Sequence, residues 1–504
     1  MQFIERIRTA LRAVIFWSAL VGVLFAALAL GANRPISWTA LWAGSAVLFA
    51  ALILVDAGSQ DAARAWRRAL PVIILWVAVL IWGLVQAGPA PVASWAHPAW
   101  TDAAAIGALE GVTRQTWPWS MPVQGAAIAS ISADPFASLD GVMRLSTYLM
   151  VFWIGMRGAT DKAAGAAIRA VALFGAALAI YGLAALFADH NPLTGPPAYQ
   201  GVVTASFINR NAYAYYAGIG AMAALAALAL RLPLPRRGES QGAARRALRD
   251  LIEAILGGGW IWLAALICLM AALLYTASRA GTVASLIGMA VLLAMTLGKR
   301  SAAWRWGMLL VLLLPVLALS IGAEGLLNRL LLKDPTEDGR AALFAQIFIA
   351  IENKPWLGHG LGAFQDAFRP YTTYELAIGE WGLAHSAYLE NAFELGLPAT
   401  AALCLAIGLV MVRLWRGIQT RRRQRPIPAL GLALLVAGAL HSTVDFSLQM
   451  PATAALVALL AGIGYARSWR DEMADMPKRP QKRRRAESDP NSSHPEVSAT
   501  ENSS

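Results

Sequence analysis

The strongest constraint on this chain is a series of apolar blocks, each about as long as a helix needs to cross a bilayer. A spanning helix takes roughly 20 apolar residues, and blocks of that order recur along most of the 504 residues. The hydrophobic set makes up 58% of the chain and charged residues 14%, where a soluble domain has about 45–50% and about 25%. The composition therefore excludes a soluble globular enzyme and a disordered chain.

The blocks predict an all-α polytopic membrane protein with about twelve transmembrane helices. Backbone inside lipid must satisfy its own hydrogen bonds, so these segments are expected to be helices, and the alternating pattern of a membrane barrel does not occur in the sequence. The first block continues into a second and is interpreted as an uncleaved helix rather than a signal peptide. The predicted spans are 12–31, 36–56, 70–87, 141–157, 164–187, 211–231, 254–277, 281–298, 304–322, 386–412, 427–446 and 451–467.

Lysine and arginine predict the orientation. Of the 42 basic residues, 32 fall in the N-terminal arm, the tail and alternate loops, as expected for cytoplasmic segments. Both termini are therefore predicted to be cytoplasmic, and the long loops 88–140 and 323–385 to lie on the opposite side. The net charge of +12 is read as an orientation signal, so no nucleic-acid partner is predicted.

Ten basic residues remain on the outer side, against the general rule, and eight of them are arginines, whose planar fork suits phosphate. Arg210 in SFINRNAYAYY and Arg279 in YTASRAGT lie at the lips of two spans, and Arg340 follows an acidic stretch in the second long loop. These motifs favour an anion site, the alternative being side chains that anchor helix ends. The full set is Arg34, Arg114, Arg144, Arg210, Arg279, Arg329, Lys333, Arg340, Lys354 and Arg369.

The second long loop carries further structure. Apolar residues at i, i+3 and i+4 spacing over 343–351 predict an amphipathic helix that could lie on the membrane surface. Gly358, Gly360 and Gly362 then predict a tight backbone turn rather than a nucleotide loop, because no strand precedes them.

Titratable residues are few. His385 stands at the start of the tenth predicted span, near the outer face. His441 and Asp445 are four apart, so they are predicted to share a helix face and to orient a neighbouring loop. His97 and His190 are predicted to be surface residues.

Cys268 and Cys404 lie in apolar blocks and are expected to pack as small hydrophobes. No cluster of histidine, cysteine and carboxylate residues has metal-ligand spacing, so neither a metal nor a cofactor is predicted.

Six motifs together resemble the O-antigen ligase and polysaccharide polymerase superfamily of bacterial inner-membrane proteins. They occur in order over about residues 200–455, with a long loop before the histidine helix, and the first five spans contribute little beyond hydropathy. The motifs are FINRNAYAYY, TASRAG, DGR, KPWLGHGLGAF, HSAYLENAFELG and HSTVDFSLQMPA. The chain is therefore divided into three regions: N-terminal helices 1–5 in 1–200 with the loop 88–140, which hydropathy predicts; a catalytic region in 201–467 with the loop 323–385, which the resemblance implies is ligase-like; and a basic cytoplasmic tail in 468–504. The polar, charged composition of the tail predicts disorder.

The resemblance also implies an activity: a metal-independent glycosyltransferase that moves a glycan from undecaprenyl pyrophosphate to an acceptor hydroxyl at the periplasmic face of the inner membrane. By the same resemblance His385 is the catalytic base, and Arg279 and Arg340 bind pyrophosphate, while the role of Arg210 in that site is inferred from its position alone. The expected supporting residues are Asn209, Asn211, Ser278, Glu394, His441 and Asp445.

The sequence leaves the acceptor open. A lipid A core, a growing polysaccharide and a protein hydroxyl define a ligase, a repeat-unit polymerase and a protein O-oligosaccharyltransferase, respectively. A transporter is the alternative from a different class, although no six-plus-six repeat or matched pair of broken helices supports it. The sugar composition of the donor and the oligomeric state are open as well.

Overall fold

The computed structural model describes residues 2–100, 129–195, 201–232, 243–297, 309, 336–376, 381–421 and 424–469. Within these residues the secondary structure is helical, and the only β-pairing is an isolated bridge between Pro89 and Ser130. The helices, numbered in chain order over the described residues, are α1 Gln2–Ala26, α2 Pro35–Asp56, α3 Gln60–Ala87, α4 Pro135–Gly158, α5 Asp161–Phe187, α6 Arg210–Ala229, α7 Ala243–Ala254, α8 Trp260–Tyr275, α9 Arg279–Leu297, α10 Thr336–Asn353, α11 Phe364–Phe368, α12 Ala387–Leu395, α13 Leu397–Thr420, α14 Pro426–His441 and α15 Pro451–Ala466.

Eight helices among the described residues are long and apolar enough to cross a membrane, and α14 and α15 are shorter apolar helices. The chain is therefore a helical, multi-pass membrane protein, as predicted. The predicted ninth span, 304–322, lies outside the described residues except for residue 309, as does the tail from 470 onward, so the count of twelve stays a prediction.

Two span boundaries predicted from the sequence are wrong. The tenth span was expected to begin at 386, but Gly396 adopts a φ of +78° and separates the short helix α12 from the long helix α13. A glycine followed by a proline near the first turn of the next helix produces such a break. The eleventh span was expected to reach 446, but α14 ends at His441 and a turn follows.

Helix α6 is the core of the bundle. Its residues from Ala212 to Ala229 are all buried, and it packs against α5, α8, α9 and α14. Small residues allow a close approach to α9: Gly281 lies against Ala214, and Ser285 against Gly218. The order of these contacts shows that α6 and α9 run parallel, so their N-termini lie at the same end of the bundle.

Helices α10, α11 and α12 form a separate layer with its own apolar core. Leu343 and Ile347 on α10 are fully buried against Phe364, Phe368 and Phe393. The helix predicted over 343–351 is therefore present, but it is apolar on both faces rather than amphipathic: its buried face packs on protein, while Phe348 and Ile349 on the opposite face are 54% and 47% exposed.

Candidate functional site

The N-termini of α6 and α9 supply two arginines and two capping side chains at one end of the bundle. Arg210 and Arg279 are the first residues of these helices. Oδ1 of Asn209 accepts hydrogen bonds from the backbone N–H groups of residues 211 and 212, and Oγ of Ser278 accepts one from Gly281. Two parallel helix N-termini with an arginine on each form a region of positive potential, which favours an anion.

Asp445 connects this end of α6 to the turn after α14. Its Oδ2 accepts a hydrogen bond of 2.6 Å from Nδ2 of Asn211, and its Oδ1 accepts the backbone N–H of Phe446 at 2.7 Å. Burial raises the pKa of Asp445 to about 6, against these hydrogen bonds and the nearby charges of Arg340 and Arg210, which lower it. The aspartate therefore lies within reach of two of the predicted phosphate-binding arginines.

The prediction that His441 and Asp445 share a helix face is wrong, because α14 ends at His441. His441 is the last residue of α14, and both of its buried ring nitrogens lack a hydrogen-bond partner among the described residues. Its ring lies 5.8 Å from that of Tyr215. Because the helix stops at His441, Asp445 turns toward α6 instead and pairs with Asn211.

Arg340 lies in the first part of α10, half-buried. Its charge acts on both Asp445 and His385, so this helix brings the third predicted arginine to the same region. The structure thus assembles Arg340, Asp445, Arg210 and His385, with Arg279 on the neighbouring parallel helix.

His385 precedes the N-cap of α12 and has a left-handed backbone with a φ of +52°. A non-glycine residue in this region is strained by about 1–2 kcal/mol, and such strain persists where the surroundings impose it. The ring is held edge-on between Trp381 and Phe446, with centroid distances of 6.0 and 5.1 Å. Its buried Nδ1 has no hydrogen-bond partner in the described part of the chain.

The electrostatics keep His385 neutral at physiological pH. Burial, and secondarily the charge of Arg340, lower its pKa from 6.5 to about 4. An uncharged imidazole with an unpartnered nitrogen can accept a proton from a hydroxyl placed beside it.

Glu390 holds the backbone in front of His385. Its Oε2 accepts a 2.7 Å hydrogen bond from the N–H of Ala384, the residue before the strained histidine. One turn later, Oε1 of Glu394 accepts the N–H of Phe364 at 3.2 Å. Both side chains are at most 5% exposed. Burial raises the pKa of Glu394 to about 7, and burial together with the neighbouring Glu394 raises the pKa of Glu390 well above its usual value.

The three glycines of the predicted turn all have positive φ, from +69° to +114°, as a tight backbone turn requires. Side-chain and backbone hydrogen bonds fix the turn. Gln86 on α3 donates to the carbonyls of Leu357 and Glu394 and accepts the N–H of Leu361. The turn therefore joins α3 to the end of α12.

His97 is buried, so its prediction as a surface residue is wrong, while His190 is exposed as predicted. The N–H of Ala99 donates to Nδ1 of His97, so Nε2 of His97 carries the proton and donates to Nδ1 of His359 at 3.0 Å. Nε2 of His359 in turn donates to the carbonyl of Ala350. This hydrogen-bonded chain connects the segment before residue 101 to the glycine turn and to α10.

Sequence reasoning missed the structural importance of several polar residues near the site. Arg144 on α4 was counted among the outer-side basic residues but given no role, yet its charge acts on both Glu390 and Glu394. On α3, the polar residue Gln86 inside an apolar block could have indicated a buried contact, because such a side chain usually pairs within the protein.

Together, the fold and this region define a multi-pass helical membrane protein with an arginine-rich site at one end of its bundle. Residues 264–404 match the family model described as O-antigen ligase, which confirms the predicted resemblance to that superfamily. The match covers α9, with Arg279, and the layer that carries Arg340 and His385; Arg210 and Asp445 lie outside it. The domain supports an O-antigen ligase- or polymerase-type membrane enzyme acting on glycans. Among curated proteins, no sequence matches the chain.

Proposed function

We propose that this protein is a glycosyltransferase that moves a glycan from undecaprenyl pyrophosphate to an acceptor hydroxyl at the periplasmic face of the bacterial inner membrane. The observation that carries the proposal is the proximity of Arg340, His385 and Asp445 at the helix end that bears Arg210. An anion site next to a neutral, unpartnered imidazole suits a reaction in which a pyrophosphate leaves and a hydroxyl attacks. Ligation to a lipid is the first candidate, and repeat-unit polymerisation or transfer to a protein hydroxyl would use the same chemistry.

In the proposed reaction, the acceptor oxygen forms a bond to the anomeric carbon while the bond from that carbon to the pyrophosphate oxygen breaks. The acceptor proton passes to His385, a contribution of about 10²–10⁴-fold for a general base. Direct displacement inverts the anomeric carbon. Charge that develops on the leaving oxygen is stabilised by Arg279, Arg340 and the two helix N-termini.

Arg340 also couples donor binding to the base. In the free protein its charge lowers the pKa of His385. A bound pyrophosphate offsets that charge, so the imidazolium that forms during the reaction is stabilised when the donor is in place. His385 is therefore a stronger base when the donor, which carries the leaving group, is bound.

The proposed orientation places the layer of α10 to α12 outside the cytoplasm. It follows from the distribution of basic residues. Thr372 is exposed in this layer, and Thr420 is exposed at the end of α13. In a background with Cys268 and Cys404 replaced by serine, Thr372→Cys should react with an impermeant maleimide in intact cells, and Thr420→Cys only after lysis. The reverse pattern would overturn the orientation.

Purified protein given a lipid-linked glycan tests the reaction class. Release of undecaprenyl pyrophosphate with glycan on the acceptor identifies a transferase, whereas movement of intact donor across a vesicle identifies a transporter. Arg279→Lys and Arg340→Lys keep the charge but lose the bidentate geometry, so both should lose activity. Full activity in both lysine variants would leave these arginines a helix-anchoring role.

In cells, the glycan pattern of a deletion strain separates the two main versions of the proposal. Long polymer that accumulates on the lipid carrier indicates a ligase. Loss of polymer length indicates a polymerase.

A further inference from the structure

A cavity of about 410 Å³ lies beside α12. It is enclosed by residues of α3, α4, α12, α13, α14 and α15 and by the segments 361–365, 382–383 and 448–449. Arg210, Arg279, Arg340 and His385 do not line it. The cavity is therefore distinct from the proposed pyrophosphate site, although both adjoin the loop that carries His385.

The side chains that line the cavity are mostly apolar along α13 and polar near α12. Between Thr400 and Val410 it follows α13 for ~15 Å at the helical rise of 1.5 Å per residue. This stretch is mostly apolar, and Leu403, Ile407 and Val457 are among the residues that line it. Such a shape fits a hydrocarbon chain that enters from the membrane.

The other end of the cavity is polar. Glu390, Glu394 and Asn391 from α12 line it together with Arg144 and Gln449. Oε1 of Gln449 is buried and has no hydrogen-bond partner among the described residues, so it is an acceptor suited to a ligand hydroxyl. Two carboxyl groups beside a single arginine disfavour a pyrophosphate head, whereas carboxyl and amide groups suit sugar hydroxyls.

We propose that this cavity is the acceptor pocket, in which an amphiphile places its chain among α13, α14 and α15 and its uncharged, hydroxyl-bearing head beside Gln449 and Glu390. This inference rests on the proposed function. Gly382, Leu383 and Ala387 line the cavity on either side of His385 in the sequence, so a head at this end reaches the loop of the base, while the donor occupies the site of Arg279 and Arg340.

A photoreactive alkyl glucoside, with a diazirine in its chain, tests the pocket directly. It should label the cavity faces of α13 and α15 in the wild-type protein. Ala458→Phe fills the cavity and should abolish that labelling, whereas Ala401→Phe makes the same change at an exposed position of α13 outside the cavity and should preserve it. Ala439→Phe fills the cavity from α14 and serves if Ala458→Phe does not fold, as judged by thermal unfolding.

An alkyl phosphate with the same chain and diazirine tests the choice of head group. It should label the cavity faces far more weakly than the glucoside. Equal labelling by both probes would contradict the uncharged head and assign the cavity to the donor chain, and labelling confined to lipid-exposed faces would show that the cavity is not a site.

Glycan transfer then separates the two proposals. Ala458→Phe should raise the KM for the acceptor and leave that for the donor unchanged; an unchanged acceptor KM after loss of labelling would refute the acceptor role. Specific labelling in a protein that transfers no glycan would support the amphiphile pocket and refute the proposed function.

Discussion

Asn211 donates a hydrogen bond of 2.6 Å from Nδ2 to Oδ2 of Asp445, across 234 residues of the chain. It joins the first turn of α6 to the turn after α14, and Asp445 is 1% exposed. The bond therefore fixes the distance between a helix N-terminus that carries an arginine and the loop packed against His385 through Phe446.

Removal of this carboxylate should destabilise the protein. Asp445→Ala leaves the Asn211 amide and the N–H of Phe446 without their acceptor, which costs about 1–3 kcal/mol for each buried group left unsatisfied. Asp445→Asn retains a carbonyl oxygen and should cost less. Thermal unfolding in detergent checks the order, with the exposed Asp366→Ala as the control. Equal stability of the wild type and Asp445→Ala would show that the bond does not hold the two elements together.

Gly360 should tolerate no side chain. Its φ is +114°, and a Cβ there would collide with the side chain of Ser132. Gly360→Ala should therefore lower the unfolding temperature and disturb the turn that contacts the end of α12. Gly408, inside α13, has open space around its Cβ position, and Gly408→Ala should stabilise by up to about 1 kcal/mol, since alanine is the better helix former. An unchanged unfolding temperature in Gly360→Ala would refute the required geometry of the turn.

The buried His97–His359 pair predicts a loss of stability in mild acid. Burial lowers the pKa of His97 to about 3 and that of His359 to about 4, from 6.5, so the folded state prefers both rings neutral. The contribution of this pair to stability is complete above pH 6.5 and falls as pH decreases toward 4, because the unfolded chain binds protons first, with a slope of up to about 1.4 kcal/mol per pH unit for each histidine.

Unfolding temperatures measured from pH 7.5 to 4.5 test this slope. His97→Gln keeps a donor for Nδ1 of His359 and removes one titrating group, so its pH dependence should be shallower. The exposed His190→Gln should follow the wild type. A His97→Gln slope as steep as that of the wild type would place the acid sensitivity elsewhere.

Hydropathy and glycine spacing predicted much of this fold, because both report local requirements. The long apolar blocks became helices where the structure describes them, and all three glycines of the turn adopt positive φ. The break at Gly396 also had a local signal, the sequence Gly-Leu-Pro, which sequence reasoning did not use.

The errors concern contacts between distant segments. His97 looked like a surface residue in a proline-containing loop, but that loop folds onto the glycine turn 262 residues away. His441 and Asp445 looked like a helical pair, but the end of α14 at His441 released Asp445 toward Asn211. The grouping of Arg340 with His385 was suggested only by resemblance, since nothing in the spacing of the two residues predicts that α10 packs on α12.

The proposed coupling between Arg340 and His385 predicts that kcat and kcat/KM fall at different acidic pH values. The pH below which each parameter falls is called its acid limit. In the free protein the pKa of His385 is about 4, so kcat/KM should fall only as pH decreases below about 4, where the base becomes protonated. With donor bound, pyrophosphate offsets the charge of Arg340, so the acid limit of kcat should lie at a higher pH. Initial rates after brief exposure to each pH, with recovery checked at pH 7, give both profiles. Identical limits for kcat and kcat/KM would contradict the coupling.

The rate of glycan transfer by His385→Gln, measured with donor binding to the same protein, tests the central claim most directly. Glutamine fills a similar volume and can hydrogen-bond a hydroxyl, but it cannot take its proton at pH 7. The variant should fold, insert and bind the lipid-linked donor as the wild type does, and its transfer rate should fall by about 10²–10⁴-fold. A near-normal rate would show that His385 only positions the acceptor, and the proposed catalytic base would be wrong.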